Sequence, residues 1–390
     1  MSKIFKMGII GLGCRGYSIC KDVLVKMPQN VKVVALCDKY EDRIEKAREL
    51  LDDKNVYTST DYKKLLKEAD VDCVYISCDW EMHAPIAIEA MKQGVAVACE
   101  VGGAYTLQEC FDLVSTYEQT KTPIMFMENC CFDKIETTVE NMVKDGLFGE
   151  IVYCSGAYGH DLREEVTNGT ANRHYRERNY MQRCCENYPT HELGPIAKIL
   201  GINKGNRMVS LFSVASKSAG MDEYIRQGKK ADAHLKVGDF KQGDVVITNI
   251  TCENGELITL KLDTSLPRSY HREFAVAGTK GRYTALFNEV FLDGDNEWKK
   301  SKPLSDYPQY VPDFWSPEEE KRIKDSGHGG MDCIEFEVFF KVLREGAEMP
   351  VDVYDMASWM SITPLSEESI REGKLVQIPD FTNGKYKTRG

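Results

Sequence analysis

The chain has no long apolar run, no paired-cysteine spacing and no excess of positive charge, and each absence removes a class of function. Nowhere in its 390 residues is there anything near the roughly 18 uninterrupted apolar residues that a membrane helix needs. The opening Met-Ser-Lys-Ile-Phe-Lys runs directly into a strand-like segment, so no signal peptide is expected and a cytoplasmic location is. Fourteen cysteines are present, yet no two stand at C-x-x-C spacing, which removes the usual zinc and redox signatures. Cys37, Cys73, Cys78 and Cys99 fall in or beside apolar runs, where a thiol acts as a small hydrophobe. The adjacent pairs Cys130-Cys131 and Cys184-Cys185 are read as packing in a reducing compartment. A net charge of −11 argues against nucleic acid or an anionic membrane as partner.

What is there begins with Met7-Gly-Ile-Ile-Gly-Leu-Gly-Cys-Arg-Gly16. An apolar run from about Ile4 to Ile10 reads as a buried parallel strand. Gly11, Gly13 and Gly16 follow at G-x-G-x-x-G spacing, and Ile19, Val23, Leu24 and Met27 share one face of a helix read over Tyr17 to Met27. In such a turn the first glycine permits the bend, the second lets backbone approach a pyrophosphate and the third lets helix pack on strand. The pyrophosphate sits at the helix N-terminus, where free N–H groups and the dipole favour an anion. A second β-rich run, Val31 to Cys37, ends at Asp38, placed to accept hydrogen bonds from an adenosine ribose and to repel a 2′-phosphate. NAD is therefore expected over NADP.

Further along, helices at 41–51, 61–68, 83–93 and 107–119 alternate with β-type runs at 56–57, 71–77, 95–99 and 123–128. That alternation predicts an α/β fold, a doubly wound parallel sheet with ligands at the strand C-termini. Gly11, Asp38, Ser77, Glu100 and Glu128 lie at those ends. One more helix is read over 130–147. From Gly149 the texture changes to β-type segments at 151–157, 208–216, 244–252, 256–263 and 273–278 with few helices between. Turns such as Glu253-Asn-Gly255 predict a largely antiparallel, open sheet in an α+β domain. Residues 290–327 read as long loops, Met331 to Glu345 as a strong helix, Asp355 to Glu372 as containing another, and the tail from Phe381 as extended. The expected division is 1–128 for the NAD-binding domain and 129–390 for a substrate-binding and oligomerisation domain.

A Rossmann half followed by an open antiparallel sheet resembles the Gfo/Idh/MocA oxidoreductases, and His83-Ala-Pro85 is similar to a motif of theirs. Most members end the next strand in Glu-Lys-Pro, whose lysine serves the alcohol being oxidised. Here the stretch is Glu100-Val101-Gly102-Gly103, and a valine neither relays a proton nor polarises a hydroxyl. Six further blocks resemble glycoside hydrolase family 109: Phe126-Met-Glu-Asn129, Tyr158-Gly-His-Asp-Leu-Arg163, Asn187-Tyr-Pro-Thr-His-Glu-Leu-Gly-Pro195, Leu266-Pro-Arg-Ser-Tyr270, Gly278-Thr-Lys-Gly281 and Gly327-His-Gly-Gly-Met-Asp332. The resemblance implies tightly held NAD and cleavage of N-acetylgalactosaminides or related hexosides. It implies transient oxidation at C3, elimination across C2 and C1, water addition and re-reduction.

By the same resemblance His191 would deprotonate the C3 hydroxyl, and Tyr158 and His160, two apart on one strand face, would handle the C2 proton or the leaving group. Glu128, Tyr188, Tyr270, His328 and Arg163 would hold the sugar. Gly11, Gly13, Cys14, Arg15, Gly16, Asp38, Trp80, His83, Glu100 and Asn129 would hold the cofactor. Blander readings stand beside these. Tyr158 and His160 are also what a half-buried strand shows, Thr190 fits an N-cap for a helix over Gly194 to Leu200, and Gly327 to Gly330 reads as a flexible turn. His83 reads as a helix-start residue near the cofactor. None of His160, His191 and His328 stands at H-x-E or H-x-x-x-H spacing, so no metal is expected. The competing functions are an NAD-dependent sugar or cyclitol dehydrogenase, against which the missing lysine speaks, and a non-enzymatic NAD-binding regulator. An open sheet needs its broad face covered, so a homo-oligomer, a dimer or tetramer, is expected.

Overall fold

The computed structural model describes residues 3–51, 53, 55–228, 231–294 and 300–389. They form two units: one made of residues up to Val101, Gln108–Asp133 and Asp313–Ala357, the other of Gly102–Leu107, Lys134–Pro312 and Ser358 onward. The units thus interleave along the chain, where the sequence reading divides it once after residue 128.

The first unit opens with β1 (Phe5–Ile10), α1 (Cys14–Asp22), β2 (Val31–Cys37), α2 (Glu41–Leu51), β3 (Tyr57–Ser59), α3 (Tyr62–Glu68), β4 (Cys73–Ile76), α4 (Trp80–Lys92), β5 (Ala96–Glu100), α5 (Leu107–Thr120) and β6 (Ile124–Met127). Its six strands are parallel in the order β3-β2-β1-β4-β5-β6. The order reverses between β1 and β4, the switch point where doubly wound sheets bind ligands. The strands are apolar throughout because helices cover both faces; Met7, Ile9, Tyr75, Val97 and Phe126 are fully buried.

The second unit continues with α6 (Lys134–Lys144), β7 (Ile151–Gly159), α7 (Arg163–Thr167), α8 (Gly169–Asn172), α9 (Arg176–Gln182), α10 (Thr190–Ile199), β8 (Met208–Ala215), α11 (Gly220–Arg226), β9 (Val245–Cys252), β10 (Leu257–Asp263), β11 (Ala275–Gly278), β12 (Gly281–Thr284), β13 (Glu289–Leu292) and β14 (Lys302–Pro303). The chain then returns to the first unit in α12 (Pro317–Ile323) and α13 (Met331–Glu345), crosses over within α14 (Val353–Met360), and ends in the second with α15 (Ile362–Glu372) and β15 (Val376–Gln377). The return is driven by apolar contact: Phe336 of α13 meets Tyr75 edge-on at 5.3 Å and Phe340 stacks on Phe5 at 5.7 Å.

In the second unit nine strands run in the order β14-β13-β12-β11-β7-β10-β9-β8-β15. The β7–β10 ladder is parallel and the others antiparallel, with Glu253–Gly255 forming the β9–β10 hairpin as expected. On β7, Gly156 lets α10 lie close, since a Cβ there would meet Glu192 at 2.9 Å. On the strands at the other end, Phe212, Val214 and Leu257 remain exposed.

Several local expectations are corrected. The helix read over Tyr17 to Met27 begins at Cys14 and ends at Asp22, and α4 begins at Trp80 rather than His83. The helix read over 130–147 is a 3-10 turn, Asn129–Phe132, and then α6. The break follows from the Glu128 carboxylate accepting from the Cys130 N–H and from extended backbone at Asp133. Four helices the sequence did not show, α7 to α9 and α11, stand between β7 and β9, and α10 starts at Thr190, so Thr190 is its first residue and not its cap. Residues 290–327 are not simply loops: they hold part of β13, then β14, three 3-10 turns and α12, whose cap is Ser316 accepting from Glu319. Residues 295–299 of that stretch lie outside the described residues. The 355–372 region holds most of α14 and all of α15. The tail from Phe381 is turned, not extended, because the Asp380 carboxylate gathers the N–H groups of Thr382 and Gly384 ahead of a 3-10 turn at Lys385–Lys387. His160 lies one residue past the end of β7.

Candidate functional site

In the first unit the glycine turn has the form a dinucleotide needs. Gly11 adopts φ +97°, and a Cβ on it would lie 2.5 Å from the Ser77 carbonyl carbon; one on Gly16 would lie 2.0 Å from the Gly11 oxygen. Those two glycines are demanded by packing alone. Gly13 is not: a Cβ there would meet nothing closer than the Arg43 guanidinium at 3.6 Å. Gly13 is also the N-cap of α1 and offers no side chain to the first-turn N–H groups, so that end is open to an anion. Asp38, buried at the end of β2, accepts from the Leu12 N–H at 2.7 Å and the Tyr40 N–H at 2.9 Å. A carboxylate has about four acceptor positions, which leaves room for a ribose diol. These residues fit NAD.

Other expected cofactor residues form a buried ionic network beside that turn. Arg15 donates through Nε to Glu100 at 2.8 Å and through its two terminal nitrogens to Asp332 at 2.7 and 3.0 Å. Asn129 donates to the same Asp332 carboxylate at 2.8 Å, and Tyr75 donates to Glu100 at 2.7 Å. Although burial works the other way, Arg15 and His328 hold the Asp332 carboxyl well below the usual range. Glu335, one turn along α13, goes in the opposite direction: burial, then the charges of Glu100 and Asp332, keep it protonated. His83 is buried in the first turn of α4 with Nε2 3.0 Å from the Cys78 carbonyl, and burial lowers its pKa. Trp80 is buried as the first residue of α4, and Cys14 is exposed as the first of α1. Val101, where the lysine would stand, is buried.

The second unit gathers Tyr158, His160, Tyr188, His191 and Tyr270 from three separate stretches. Tyr158 ends β7 one residue before its terminus and its Oη lies 3.1 Å from His160 Nδ1. Its ring is 4.6 Å from Tyr188, 5.6 Å from His191 and 6.3 Å from Tyr270; Tyr188 and His191 are 4.9 Å apart, His160 and Tyr270 5.3 Å. Tyr188 and His191 arrive on the lead-in and first turn of α10. Tyr270 is carried there by an antiparallel bridge from His271 to Gly159.

A charged pair that sequence reasoning missed borders the cluster. Arg176, the first residue of α9, lies with its guanidinium 5.1 Å from the Tyr188 ring centre and 3.2 Å from Glu165. Burial pushes the Tyr158 phenol up to about 12 against the pull of Arg176, while burial and then Arg176 hold His160 below its ordinary 6.5. Two further acids, Glu186 and Glu192, flank Tyr188 and His191 in sequence and are fully buried. Burial raises Glu186 to about 8, and burial followed by the Glu186 charge raises Glu192 well above the usual range. Nothing in the run Arg176-Glu-Arg-Asn179 marks its first residue. Glu192 and Asp332 stood inside quoted blocks without a role.

Three more residues were expected to bind the sugar. Arg163 is clasped by its neighbour Asp161 at 2.7 and 2.8 Å and covers Tyr224 at 5.3 Å. Glu128 is buried at the end of β6, capping the Asn129–Phe132 turn. His328 belongs to the first unit, with Nδ1 3.0 Å from Arg15 and 2.9 Å from Asp332.

A dinucleotide-binding turn in one unit and a titratable cluster of tyrosines and histidines in the other define the class, an NAD-dependent enzyme. Comparison with known proteins narrows this. The oxidoreductase family with NAD-binding Rossmann fold matches residues 5–127, and the C-terminal domain of glycosyl hydrolase 109 matches residues 132–388. A glycosyl hydrolase family 109 protein of Stenotrophomonas maltophilia (strain K279a) is 36% identical, over 98% of this chain and 90% of its own length. An alpha-N-acetylgalactosaminidase of Tannerella forsythia is 35% identical over 98% and 87%. The chain belongs to glycosyl hydrolase family 109, and its N-terminal Rossmann domain binds NAD. Among solved structures, levoglucosan dehydrogenase in complex with NADH and levoglucosan shares the fold at TM-score 0.73 and 17% identity, covering 97% of this chain and 100% of that one. A scyllo-inositol dehydrogenase from Lactobacillus casei with bound NAD(H) and scyllo-inositol does so at 0.69 and 16%, covering 96% and 99%.

Proposed function

We propose that this glycosidase cleaves N-acetylgalactosaminides or closely related hexosides by transient oxidation at C3. The observation that carries the reading is the ring cluster of Tyr158, His160, Tyr188, His191 and Tyr270 in a family 109 domain. NAD+, which Gly11, Gly13, Gly16 and Asp38 would hold, would supply the acceptor for the C3 hydride and its return. His191 takes the C3 hydroxyl proton as that hydride leaves, and the ketone then acidifies the C2 hydrogen. A phenol held near 12 is not ionised at neutral pH. Tyr158 therefore accepts the C2 proton only as its own passes to His160, 3.1 Å away and kept neutral by its lowered pKa. The C1–O bond breaks as C1=C2 forms, with a proton delivered to the departing oxygen. Water adds at C1, a proton returns to C2, and His191 returns its proton as C3 is reduced. Tyr188, Tyr270 and Arg176 hold the sugar, Arg176 as hydrogen-bond donor to a polar substituent.

The enzyme works as a homo-oligomer in the cytoplasm on this reading. Exposed Phe212, Val214 and Leu257 on the open sheet support the first part. Fourteen cysteines with no disulfide among the described residues support the second. No helix among the described residues is long and apolar enough to cross a membrane.

The test is hydrolysis of an aryl glycoside panel in D2O, with and without added NAD+. The route predicts deuterium at C2 of the released sugar and no net NADH. Product without C2 deuterium refutes it, and net NADH release assigns a dehydrogenase instead.

A further inference from the structure

We infer that His328 is a cofactor-contact residue, held by Asp332 as an aspartate–histidine dyad beside the glycine turn. The inference rests on the NAD reading above and moves His328 from the sugar to the dinucleotide.

Three observations converge on it. First, the ring stands at the turn that holds the cofactor: its Nδ1 lies 3.0 Å from the terminal nitrogen of Arg15, the residue between Cys14 and Gly16. Second, the contacts decide the tautomer. Nδ1 cannot both accept from Arg15 and donate to Asp332, which lies 2.9 Å away. Asp332 is fully buried, and Arg15 and His328 hold its pKa well down against its burial. A buried carboxylate is the stronger claimant, so Nδ1–H donates to Asp332. Arg15 meanwhile satisfies its charge on Asp332 and Glu100. That tautomer leaves Nε2 as the free functional atom on a ring whose side chain is about half exposed.

Third, the backbone is strained to present it. Gly327, His328, Gly329 and Gly330 all have positive φ, at 70°, 40°, 66° and 107°. Histidine is the only one of the four with a Cβ, and an L residue holds such a conformation only where its surroundings compel it. Here the compelling contact is that of Nδ1–H with Asp332. Asn129 and Arg15 donate to Asp332 from the other side, so the dyad is fixed to the loop after β6 and to the glycine turn. An imidazole Nε2 in that place suits a ribose hydroxyl as acceptor, or a phosphate oxygen as donor when protonated. A residue far along the chain thereby completes a site begun in the first twenty.

The experiment compares full-length wild type with His328→Gly and Asp332→Asn by NADH fluorescence titration and by stopped-flow release of NADH. Gly relieves the strain of φ +40° but gives up the Nδ1 contact with Asp332 and frees the unfolded chain, so His328→Gly should stay folded and melt somewhat below wild type in the cofactor-free form. It should nevertheless bind NADH about tenfold more weakly through faster release, the worth of one hydrogen bond to a charged or strongly polar group. Asp332→Asn should release NADH faster too, since the ring loses its fixed tautomer. NADH affinity of His328→Gly within twofold of wild type overturns the inference. So does a raised KM for glycoside with NADH release unchanged, which returns the ring to the sugar. Wild type that binds no NADH fails the cofactor reading instead, and the two failures are distinguishable.

Discussion

The Glu186 carboxyl makes the stability of the second unit fall as pH rises, and Glu186→Gln should remove that dependence. Glu186 is fully buried, and burial pushes its pKa from 4.5 to about 8. In the unfolded chain it ionises near 4.5; in the folded protein it keeps its proton until about 8. The native state thus binds more protons across that window. Its stabilising contribution is complete below 4.5 and is lost as pH climbs toward 8. At about 1.4 kcal/mol per pH unit, the loss between pH 5 and pH 8 comes to about 3 kcal/mol after allowing for partial ionisation at both ends. Glutamine has the same shape and keeps an oxygen for the Tyr188 N–H, which lies 3.4 Å from Glu186 Oε1. It has no proton to lose. Urea unfolding of wild type and Glu186→Gln, followed at matched pH values, reads Glu186 together with its effect on Glu192, because the remaining titrating residues are common to both. The two proteins should be nearly equal near pH 5, and the variant should be the more stable by about 3 kcal/mol at pH 8. A gap that stays constant with pH, or opens toward acid, refutes the argument that Glu186 is buried as an acid.

Asp38→Ala should lose copurifying NAD(H) and bind NADH at least tenfold more weakly, while wild type prefers NADH to NADPH in fluorescence titration; equal binding of the two cofactors defeats the assignment. His191→Ala should abolish both glycoside cleavage and any transient absorbance of NADH. Tyr158→Phe should keep the oxidation and slow elimination, so that NADH builds up in single turnovers, and its thermal melting should stay close to wild type. Light scattering at about 10 μM should give a dimer or tetramer, and a monomeric mass counts against the covered sheet face.

The first unit was legible because its signals are local. A parallel strand covered on both faces is a continuous apolar run, and Gly11, Gly13 and Gly16 mark the turn within six residues. The helices α7, α8, α9 and α11 had no such mark. They are four to seven residues long, too short for a face to show its period, and are held by side chains from elsewhere. Asp232 accepts from the Thr170 N–H at 2.7 Å, and the Asp244 carboxylate accepts from Ala219 and Gly220 at the start of α11. The tyrosines and histidines of the ring cluster were found through resemblance, not through spacing. Arg176, Glu186 and Asp332 escaped because a charged residue in a sequence reads as surface until its partner is known. The partner of Arg15 lies 317 residues away.

On the proposed redox-neutral route, a chain without the lysine at position 101 is what the chemistry asks for. In a dehydrogenase a lysine beside the alcohol serves a reaction that runs one way in each turnover and lets the reduced cofactor go. A redox-neutral hydrolysis must return every proton it removes to the site, so a group that is firmly charged at the start is a hindrance to one of the two directions. Tyr158 lies too high to ionise, His160 too low to be cationic, and Glu186 and Glu192 are kept protonated by burial. Apart from the Arg176–Glu165 pair, whose charges offset each other at 3.2 Å, these groups are neutral at pH 7. On these pKa directions the phenol does not ionise onto the imidazole by itself; on the proposed route its proton passes to His160 only as its oxygen takes up the C2 proton, and the reverse relay restores the neutral pair. Val101→Lys should therefore not improve this enzyme. A buried ammonium near the end of β5 would have to draw on Glu100, which already serves Arg15 and Tyr75. Weaker NADH retention, with no gain in sugar oxidation, is the expected result in a side-by-side assay of NADH release and aryl glycoside turnover. A variant that oxidises sugars to net NADH faster than wild type would show instead that the valine is the sole barrier between the two chemistries.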